Sequence, residues 1–310
     1  MIQKIMVPLD GSPLAERALP YAAALARATR GRLILLRATE GHGLSDRGRS
    51  RAQIAVSQDA EAYLKGIAEP LRERGLTVDL VLPVGGAAET IEGEIALREI
   101  DLVVMATHGR SGLGRFVYGS VAAQVLHKAA VPVLLVRAWQ EQSGGSFDAA
   151  PRIVVPLDGS RFAKAALPIA RELAAALGGQ LLLTMAVSPP EAAMMSELAY
   201  AQFDPAAELA TATAYLEQLA ANETAAGRPA QIVTQVGMPE RMIAEVARAN
   251  DAALIVMATH GRGGVGRLIM GSVADATLRQ GTTPLLLIRP QEHEADAAAT
   301  TAAITVAARR

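Results

Sequence analysis

Short apolar stretches alternate with longer amphipathic stretches along the chain. In the first half, five stretches rich in Val, Ile and Leu are predicted to be strands: residues 4–9, 32–38, 77–83, 102–106 and 133–137. Their apolar and polar residues alternate little, as is typical of strands covered on both faces. Four intervening stretches are predicted to be helices: residues 13–30, 51–74, 87–99 and 119–129. This alternation predicts a parallel sheet with helices on both faces.

Local residue choices support the predicted helix ends. Ser12 is a predicted N-cap, and Pro13 suits the first helical position because its missing N–H is not needed there. Gly31 and Gly75 are predicted to end the first two helices. Pro20 lies inside the first predicted helix, where it favours a kink.

The sequence contains two copies of one unit. Val-Pro-Leu-Asp-Gly-Ser at residues 7–12 recurs 148 residues later, at 155–160. Met-Ala-Thr-His-Gly-Arg at 105–110 recurs 152 residues later, and Gly-Ser-Val-Ala at 119–122 recurs with the same offset. The second copy therefore has four extra residues, which are predicted to lie in the connection between Pro189 and Ala206.

A polar, glycine-rich segment at residues 140–146 is predicted to link the two copies. The predicted domains are residues 1–146 and 147–292, each with a five-stranded parallel sheet. Residues 293–310 are rich in Ala and Thr and are predicted to form a disordered tail or a loosely docked helix.

Composition excludes several classes of function. The formal net charge is -1, which does not favour binding to nucleic acid or to an anionic membrane. The chain has no cysteine, so disulfides, thiolate nucleophiles and cysteine-ligated metals are excluded. The first residues do not resemble a signal peptide, and no apolar run approaches the roughly 18 residues of a membrane span. A cytoplasmic location is expected.

The repeated polar motifs follow strands one and four of each copy. Ligands of an open parallel sheet bind beyond the carboxyl ends of strands, near the point where the strand order reverses. The glycine-rich loop after strand four leads into the helix that begins near Gly119 and Ser120, and a helix N-terminus preceded by such a loop favours phosphate. Arg110 and Arg115 could add charged contacts. Asp10 could bind a ribose hydroxyl or a divalent metal, or it could begin the turn into the first helix.

The loop after strand four matches neither the P-loop nor the dinucleotide-binding fingerprint. Its glycines could also serve only as turn formers. His108 and His260 recur in this loop, but neither has a repeated nucleophile or a carboxylate beside it. These histidines are therefore interpreted as bracing the loop, and no catalytic residue is predicted.

These motifs resemble those of the universal stress protein family, whose ATP-binding members carry Gly-x2-Gly-x9-Gly-Ser/Thr after strand four. The register here is Ala106-x2-Gly109-x9-Gly119-Ser120, and it recurs from Ala258 to Ser272, with alanine at the first glycine position in both copies. The resemblance also covers Val-Pro-Leu-Asp at the start of each copy and the last strand of each. It implies two tandem Rossmann-like (HUP-type) α/β domains that pair through their last strands as an internal pseudo-dimer, with two sites per chain.

The resemblance further implies binding of ATP, ADP or AMP together with Mg²⁺ or Mn²⁺. In the first copy the implied binding residues are Pro8, Asp10, Ala38, Ala106, Gly109, Arg110, Gly112, Gly119, Ser120 and Val121. In the second copy they are Pro156, Asp158, Ala186, Ala258, Gly261, Arg262, Gly264, Gly271, Ser272 and Val273. Asp10 and Asp158 are also the candidate metal ligands.

Three functions are compatible with the sequence. The first is a nucleotide-dependent stress or regulatory protein that is not an enzyme, with slow ATP hydrolysis at most. The second is an adenylating or nucleotide-hydrolysing enzyme. The third is a partner-binding module that has lost nucleotide binding in one or both copies. Further homodimerisation is compatible with each of them.

Overall fold

The computed structural model describes residues 1–39, 46–107, 119–137, 147, 150–189, 203–259 and 270–289, with only the backbone of residues 46–53. The strands of this part of the chain are β1 Lys4–Pro8, β2 Arg32–Leu36, β3 Thr77–Val81, β4 Leu102–Ala106, β5 Val133–Val136, β6 Arg152–Pro156, β7 Gln180–Val187, β8 Ala230–Val236, β9 Leu254–Ala258 and β10 Leu285–Ile288. Its helices are α1 Pro13–Glu16, α2 Leu19–Thr29, α3 Asp46–Glu73, α4 Ala87–Arg98, α5 Ser120–Lys128, α6 Arg161–Lys164, α7 Ala166–Leu177, α8 Pro205–Ala225, α9 Pro239–Ala249 and α10 Ser272–Gln280. The predicted linker, the C-terminal tail and most of the predicted insertion lie outside the described residues.

All the strands belong to one sheet, in the order β3-β2-β1-β4-β5-β10-β9-β6-β7-β8. Pairing is parallel within each copy, and the order of strands reverses between β1 and β4 and again between β6 and β9. β5 and β10 are antiparallel neighbours, with Leu134 opposite Leu286. The predicted α/β fold with a parallel five-stranded sheet in each copy is confirmed.

Helices cover both faces of the sheet, as the uninterrupted apolar strands require. One face packs against α1, α2, α3, α6, α7 and α8, around fully buried residues such as Leu33, Leu64 and Leu173. The other face packs against α4, α5, α9 and α10, around Ile91, Val125 and Met242. Full burial of one such side chain contributes about 1.5–3 kcal/mol. Each face has one cluster that includes residues of both copies.

The first helix of each copy is interrupted, which corrects the prediction of one kinked helix over residues 13–30. The chain forms α1 and then α2, and Pro20 occupies the first turn of α2. Proline has no N–H to donate to the preceding turn, and in the first turn of a new helix Pro20 costs no hydrogen bond within the helix. Its counterpart Pro168 also lies in the first turn of its helix, as the third residue of α7. Ser12 is the predicted N-cap, and its side chain accepts from the Ala15 N–H at 3.2 Å.

Gly31 does not end α2 in the way that was predicted. The left-handed residue is Arg30, with φ 55°. Gly31 follows it and needs the absence of a side chain, because a Cβ there would lie 2.7 Å from the backbone oxygen of Gln3. In the second copy the left-handed residue is Gly178, with φ 64°. Gly75 does end α3 with φ 82°, as predicted.

Candidate functional site

A cavity of about 600 Å³ lies in the first copy where the strand order reverses. The carboxyl ends of β1, β2 and β4 meet there, because parallel neighbouring strands end at the same edge of the sheet. The volume is in the range of small-molecule sites. The cavity is lined by the described residues of the predicted first site: Pro8, Asp10, Ala38, Ala106, Gly119, Ser120 and Val121.

One part of the cavity wall is apolar. Leu36 at the end of β2, Met105 in β4 and Ile91 in α4 contribute buried side chains to it. Val56 and Ala60 of α3 add further apolar surface. A flat, weakly polar group such as a nucleobase would be compatible with this wall.

The start of α5 forms another part of the wall. The Gly119 N–H donates to the carbonyl oxygen of Thr107 at 2.7 Å, which brings together the two ends of the segment between them. Thr107 is held in turn by its N–H bond to the Val136 carbonyl oxygen at 2.9 Å. Gly119 is the N-cap of α5 and has no side chain to cap the helix. The first N–H groups of a helix have no partner within it and favour an anion.

The second copy repeats this geometry. The Gly271 N–H donates to the Thr259 carbonyl oxygen at 2.7 Å, and Ser272 begins α10. The order of β7, β6 and β9 in the sheet matches that of β2, β1 and β4. The described residues of the predicted second site therefore lie at one edge of the sheet, at the ends of β6, β7 and β9 and at the start of α10. They are Pro156, Asp158, Ala186, Ala258, Gly271, Ser272 and Val273.

Several predicted site residues lie outside the described residues. They belong to the segments after β4 and β9: Gly109, Arg110, Gly112, Gly261, Arg262 and Gly264. Arg115 and the two repeated histidines, His108 and His260, lie in the same segments. Their part in the site stays a prediction.

Asp10 shapes the turn after β1. Its Oδ1 atom accepts from the Ser12 N–H at 2.9 Å, and Asp158 accepts from Ser160 at 2.9 Å in the same way. Asp10 also lines the cavity, so its structural and binding interpretations are compatible. Among the residues that the structure describes, no three His, Cys, Asp or Glu side chains are grouped as metal ligands. A divalent metal at Asp10 would therefore need ligand phosphates and water as further ligands.

A polar cluster beside the first cavity was missed by the sequence analysis. Arg37 follows β2 and lines the cavity, and its guanidinium carbon lies 4.8 Å from the centre of the Tyr63 ring. The Tyr63 hydroxyl donates to Glu16 Oε1 at 2.8 Å. Burial raises the pKa of Tyr63, and the hydrogen bond to Glu16 raises it further. The recurrence of this tyrosine 152 residues later, as Tyr215, is the sequence signal for the cluster.

The second copy keeps the tyrosine but changes its neighbours. Lys164 occupies the position of Glu16, and Met185 occupies the position of Arg37. The Lys164 Nζ atom lies 5.2 Å from the centre of the Tyr215 ring. Burial raises the pKa of Tyr215, and the charge of Asp158 adds to the effect. The first site therefore has a carboxylate at Glu16 and a guanidinium group at Arg37. At the equivalent positions the second site has an ammonium group at Lys164 and the uncharged side chain of Met185.

Comparison with known proteins gives the family. A sequence model of the universal stress protein family matches residues 1–137 and again residues 150–289. A universal stress protein of Mycobacterium tuberculosis is 29% identical over 192 residues, which are 62% of each chain, so the match spans less than two thirds of that relative. One of Mycobacterium bovis is 27% identical over 316 residues, covering 93% of this chain and 96% of its own.

The fold agrees with that of a solved structure. A universal stress protein from Archaeoglobus fulgidus superposes with a TM-score of 0.73 at 21% sequence identity, covering 93% of this chain and 99% of its own. At this identity the likeness shows the fold alone. Together with the double match of the family, it means that the chain belongs to the universal stress protein family and contains two copies of the family's domain in tandem.

Proposed function

We propose that this universal stress protein binds ATP in one or both copies and acts as a nucleotide-dependent stress or regulatory factor. The observation that carries the proposal is the cavity of about 600 Å³ at the reversal of strand order, with the start of α5 in its wall. That position combines an apolar wall with a helix N-terminus, and adenine nucleotides need both.

The layout of the cavity supports a particular orientation of the nucleotide. β2 and β4 lie on either side of β1, so their ends are separated by roughly 10 Å, twice the spacing of neighbouring strands. Ala38 after β2 would present its backbone to the adenine, and the start of α5 after β4 would bind the phosphates. Asp10, between them, would bind the ribose or an Mg²⁺ or Mn²⁺ ion shared with the phosphates.

We also propose that the pairing of β5 with β10 persists in solution, so that one chain is an internal pseudo-dimer with two sites. A cytoplasmic location and further pairing of chains into a homodimer belong to the same proposal. Within the described residues, no helix is both long and apolar enough to cross a membrane.

Substitution of Gly119 and Gly271 tests the proposed phosphate sites. Both residues have φ and ψ near -60° and 150°, which other residues adopt without strain. Gly119→Val places a side chain in the cavity wall and is expected to weaken binding of MgATP to the first copy by more than tenfold, and Gly271→Val should do the same in the second copy. Isothermal titration calorimetry would measure affinity and the number of sites.

The control is Gly93→Val, since Gly93 is an exposed residue inside α4 that does not line the cavity. A Cβ at Gly93 would meet no atom within 4 Å. The control should keep binding and thermal stability. Unchanged binding in the double variant Gly119→Val, Gly271→Val would refute the phosphate sites. A chain that retains and binds no nucleotide would instead favour a partner-binding module, and rapid turnover of ATP would favour an enzyme.

A further inference from the structure

Two arginines cross the junction between the copies. Arg137 follows β5, and its Nη2 atom donates to the carbonyl oxygens of Leu278 and Arg279 in the last turn of α10. Arg289 follows β10, and its Nη1 atom donates to the carbonyl oxygen of His127 in the last turn of α5 at 2.6 Å. The two arginines occupy equivalent positions of the repeat. The contact is therefore reciprocal, and each copy provides a guanidinium group to a helix of the other.

The helices that receive these arginines are the ones that begin at the proposed phosphate sites. α5 starts at Ser120 and α10 at Ser272, and each has nine residues, or about 13 Å of helix. The last carbonyl groups of a helix lack partners within it and form the negative end of its dipole, so a cation placed there stabilises the helix. Each arginine thus contacts one end of a short, rigid element whose other end would bind phosphate.

Residues within the same copy hold these helices only in part. Ala122, Val125 and Leu126 bury one side of α5 against the sheet and α4. Such apolar packing resists movement away from the sheet but specifies less well the position of the helix along its own axis. Within the first copy, the Gly119 N–H bond to Thr107 restrains the start of α5, and the ion pair of Lys128 with Glu92 at 3.3 Å ties its exposed last turn to α4. Directional hydrogen bonds from Arg137 and Arg289 to the far ends of the helices would add to these restraints, and removal of the Arg137 guanidinium would take a donor from the partly buried carbonyl group of Leu278.

We propose that Arg137 and Arg289 are positioning residues that act across the junction: Arg137 for the nucleotide site of the second copy, and Arg289 for that of the first. The inference rests on the proposed nucleotide-binding function and extends it. Neither site is complete within its own copy, so the β5–β10 junction is part of both sites.

The test uses chains in which one site has been disabled. A Gly119→Val chain reports binding to the second copy alone, and a Gly271→Val chain reports binding to the first. Arg137→Gln should weaken MgATP binding about 3- to 10-fold in the Gly119→Val chain, a range set by the strength of a cation at a helix C-terminus. It should change binding less than twofold in the Gly271→Val chain. Arg289→Gln should give the reverse pattern.

Two further variants separate positioning from a general loss of structure. Arg137→Lys retains a cation and should recover part of the affinity. Arg32→Gln removes an exposed arginine that pairs with Asp79 at 3.0 Å, far from the junction. This control should leave the affinity of both sites for MgATP unchanged. The proposal would be overturned if an arginine variant lowered the affinity for MgATP equally in both copies, or only in the copy to which that arginine belongs.

Hydrogen exchange without nucleotide gives an independent readout. Arg137→Gln in the otherwise unchanged chain should speed amide exchange in α10 and leave α5 unaffected, with the reverse for Arg289→Gln. If the unchanged chain binds no MgATP, the proposed function fails, while this pattern of exchange still supports the role of each arginine in holding the opposite helix. Unchanged exchange in both helices would overturn that role.

Discussion

Tyr63 and Tyr215 occupy equivalent positions, but their hydroxyl groups have different surroundings. Tyr63 donates to Glu16 Oε1, whereas Lys164 replaces that carboxylate in the second copy. Within the described part of the chain, the buried hydroxyl oxygen of Tyr215 has no hydrogen-bond partner. Removing a paired hydroxyl costs free energy, and removing a buried unpaired one does not.

We therefore expect opposite results from two identical substitutions. Tyr63→Phe should lower the free energy of unfolding by about 1–2 kcal/mol, because it removes a hydrogen bond to a charged group. Tyr215→Phe should leave the free energy of unfolding unchanged or raise it slightly. Urea denaturation of the two variants measures both values, and a greater loss in Tyr215→Phe would contradict this account of the two hydroxyls.

Single residues also mark where sequence reasoning succeeded and failed. Ser12 was predictable as an N-cap because a local motif specifies it. The left-handed conformation of Arg30 was not, because it depends on Gly31 packing against the backbone of Gln3, a contact distant in sequence. Arg37 was missed as a cavity residue since it belongs to no repeated motif and Met185 replaces it in the second copy.

At the scale of elements, the second copy has an ion cluster where the first has an apolar one. Glu223 in α8 is 2% exposed and accepts from Arg171 in α7 and from Arg228 before β8. The equivalent residues of the first copy are buried and apolar: Ala23, Leu71 and Leu76. Burial by itself would raise the pKa of Glu223, but the hydrogen bonds and charges of Arg171 and Arg228 outweigh it and hold the pKa below its ordinary value of 4.5.

This cluster predicts acid sensitivity in the second copy. A carboxyl group whose pKa is lowered by folding stabilises the protein above its unfolded pKa, and that contribution is lost as the pH falls through the folded pKa. The wild-type chain should therefore lose stability below about pH 4.5. The triple variant Arg171→Ala, Glu223→Leu, Arg228→Leu has the residue types of the first copy. It should lose less stability than the wild type as the pH falls.

Thermal denaturation between pH 7 and pH 3.5 would compare the two chains. Apolar replacement of a complete buried ion cluster is often neutral or stabilising, so the triple variant should fold. The double variant Arg171→Ala, Arg228→Leu leaves the buried Glu223 carboxylate without these two arginines and should destabilise the chain by about 3–5 kcal/mol. Identical acid dependence in the wild type and the triple variant would contradict the role of Glu223.

Element boundaries were largely predictable. The strands of the first copy end within two residues of their predicted positions, because each buried strand is a continuous apolar run between turn residues. The start of α3 at Asp46 was missed, since residues 46–53 have little apolar periodicity. The break between α1 and α2 was interpreted as a kink, and the sequence alone did not show that Pro20 starts a new helix.

At the scale of the whole molecule, the repeat predicted two copies and the resemblance implied their pairing. Both hydrophobic clusters contain residues of the two copies, and one sheet runs through them. The copies are not identical, because Glu16 and Arg37 of the first are Lys164 and Met185 in the second. The repeated motifs predicted where the two candidate sites lie. That Glu16 and Arg37 lie beside the first site became apparent only from their contacts with Tyr63.

The proposed function depends on binding of adenine nucleotide at the carboxyl edge of the sheet. The most direct measurement is to denature freshly purified protein and to quantify the released nucleotide per chain by chromatography and mass spectrometry. Between one and two ATP per chain are expected, and one would indicate that the copies have diverged. No released nucleotide, together with no binding when ATP and Mg²⁺ or Mn²⁺ are titrated, would contradict the proposed function.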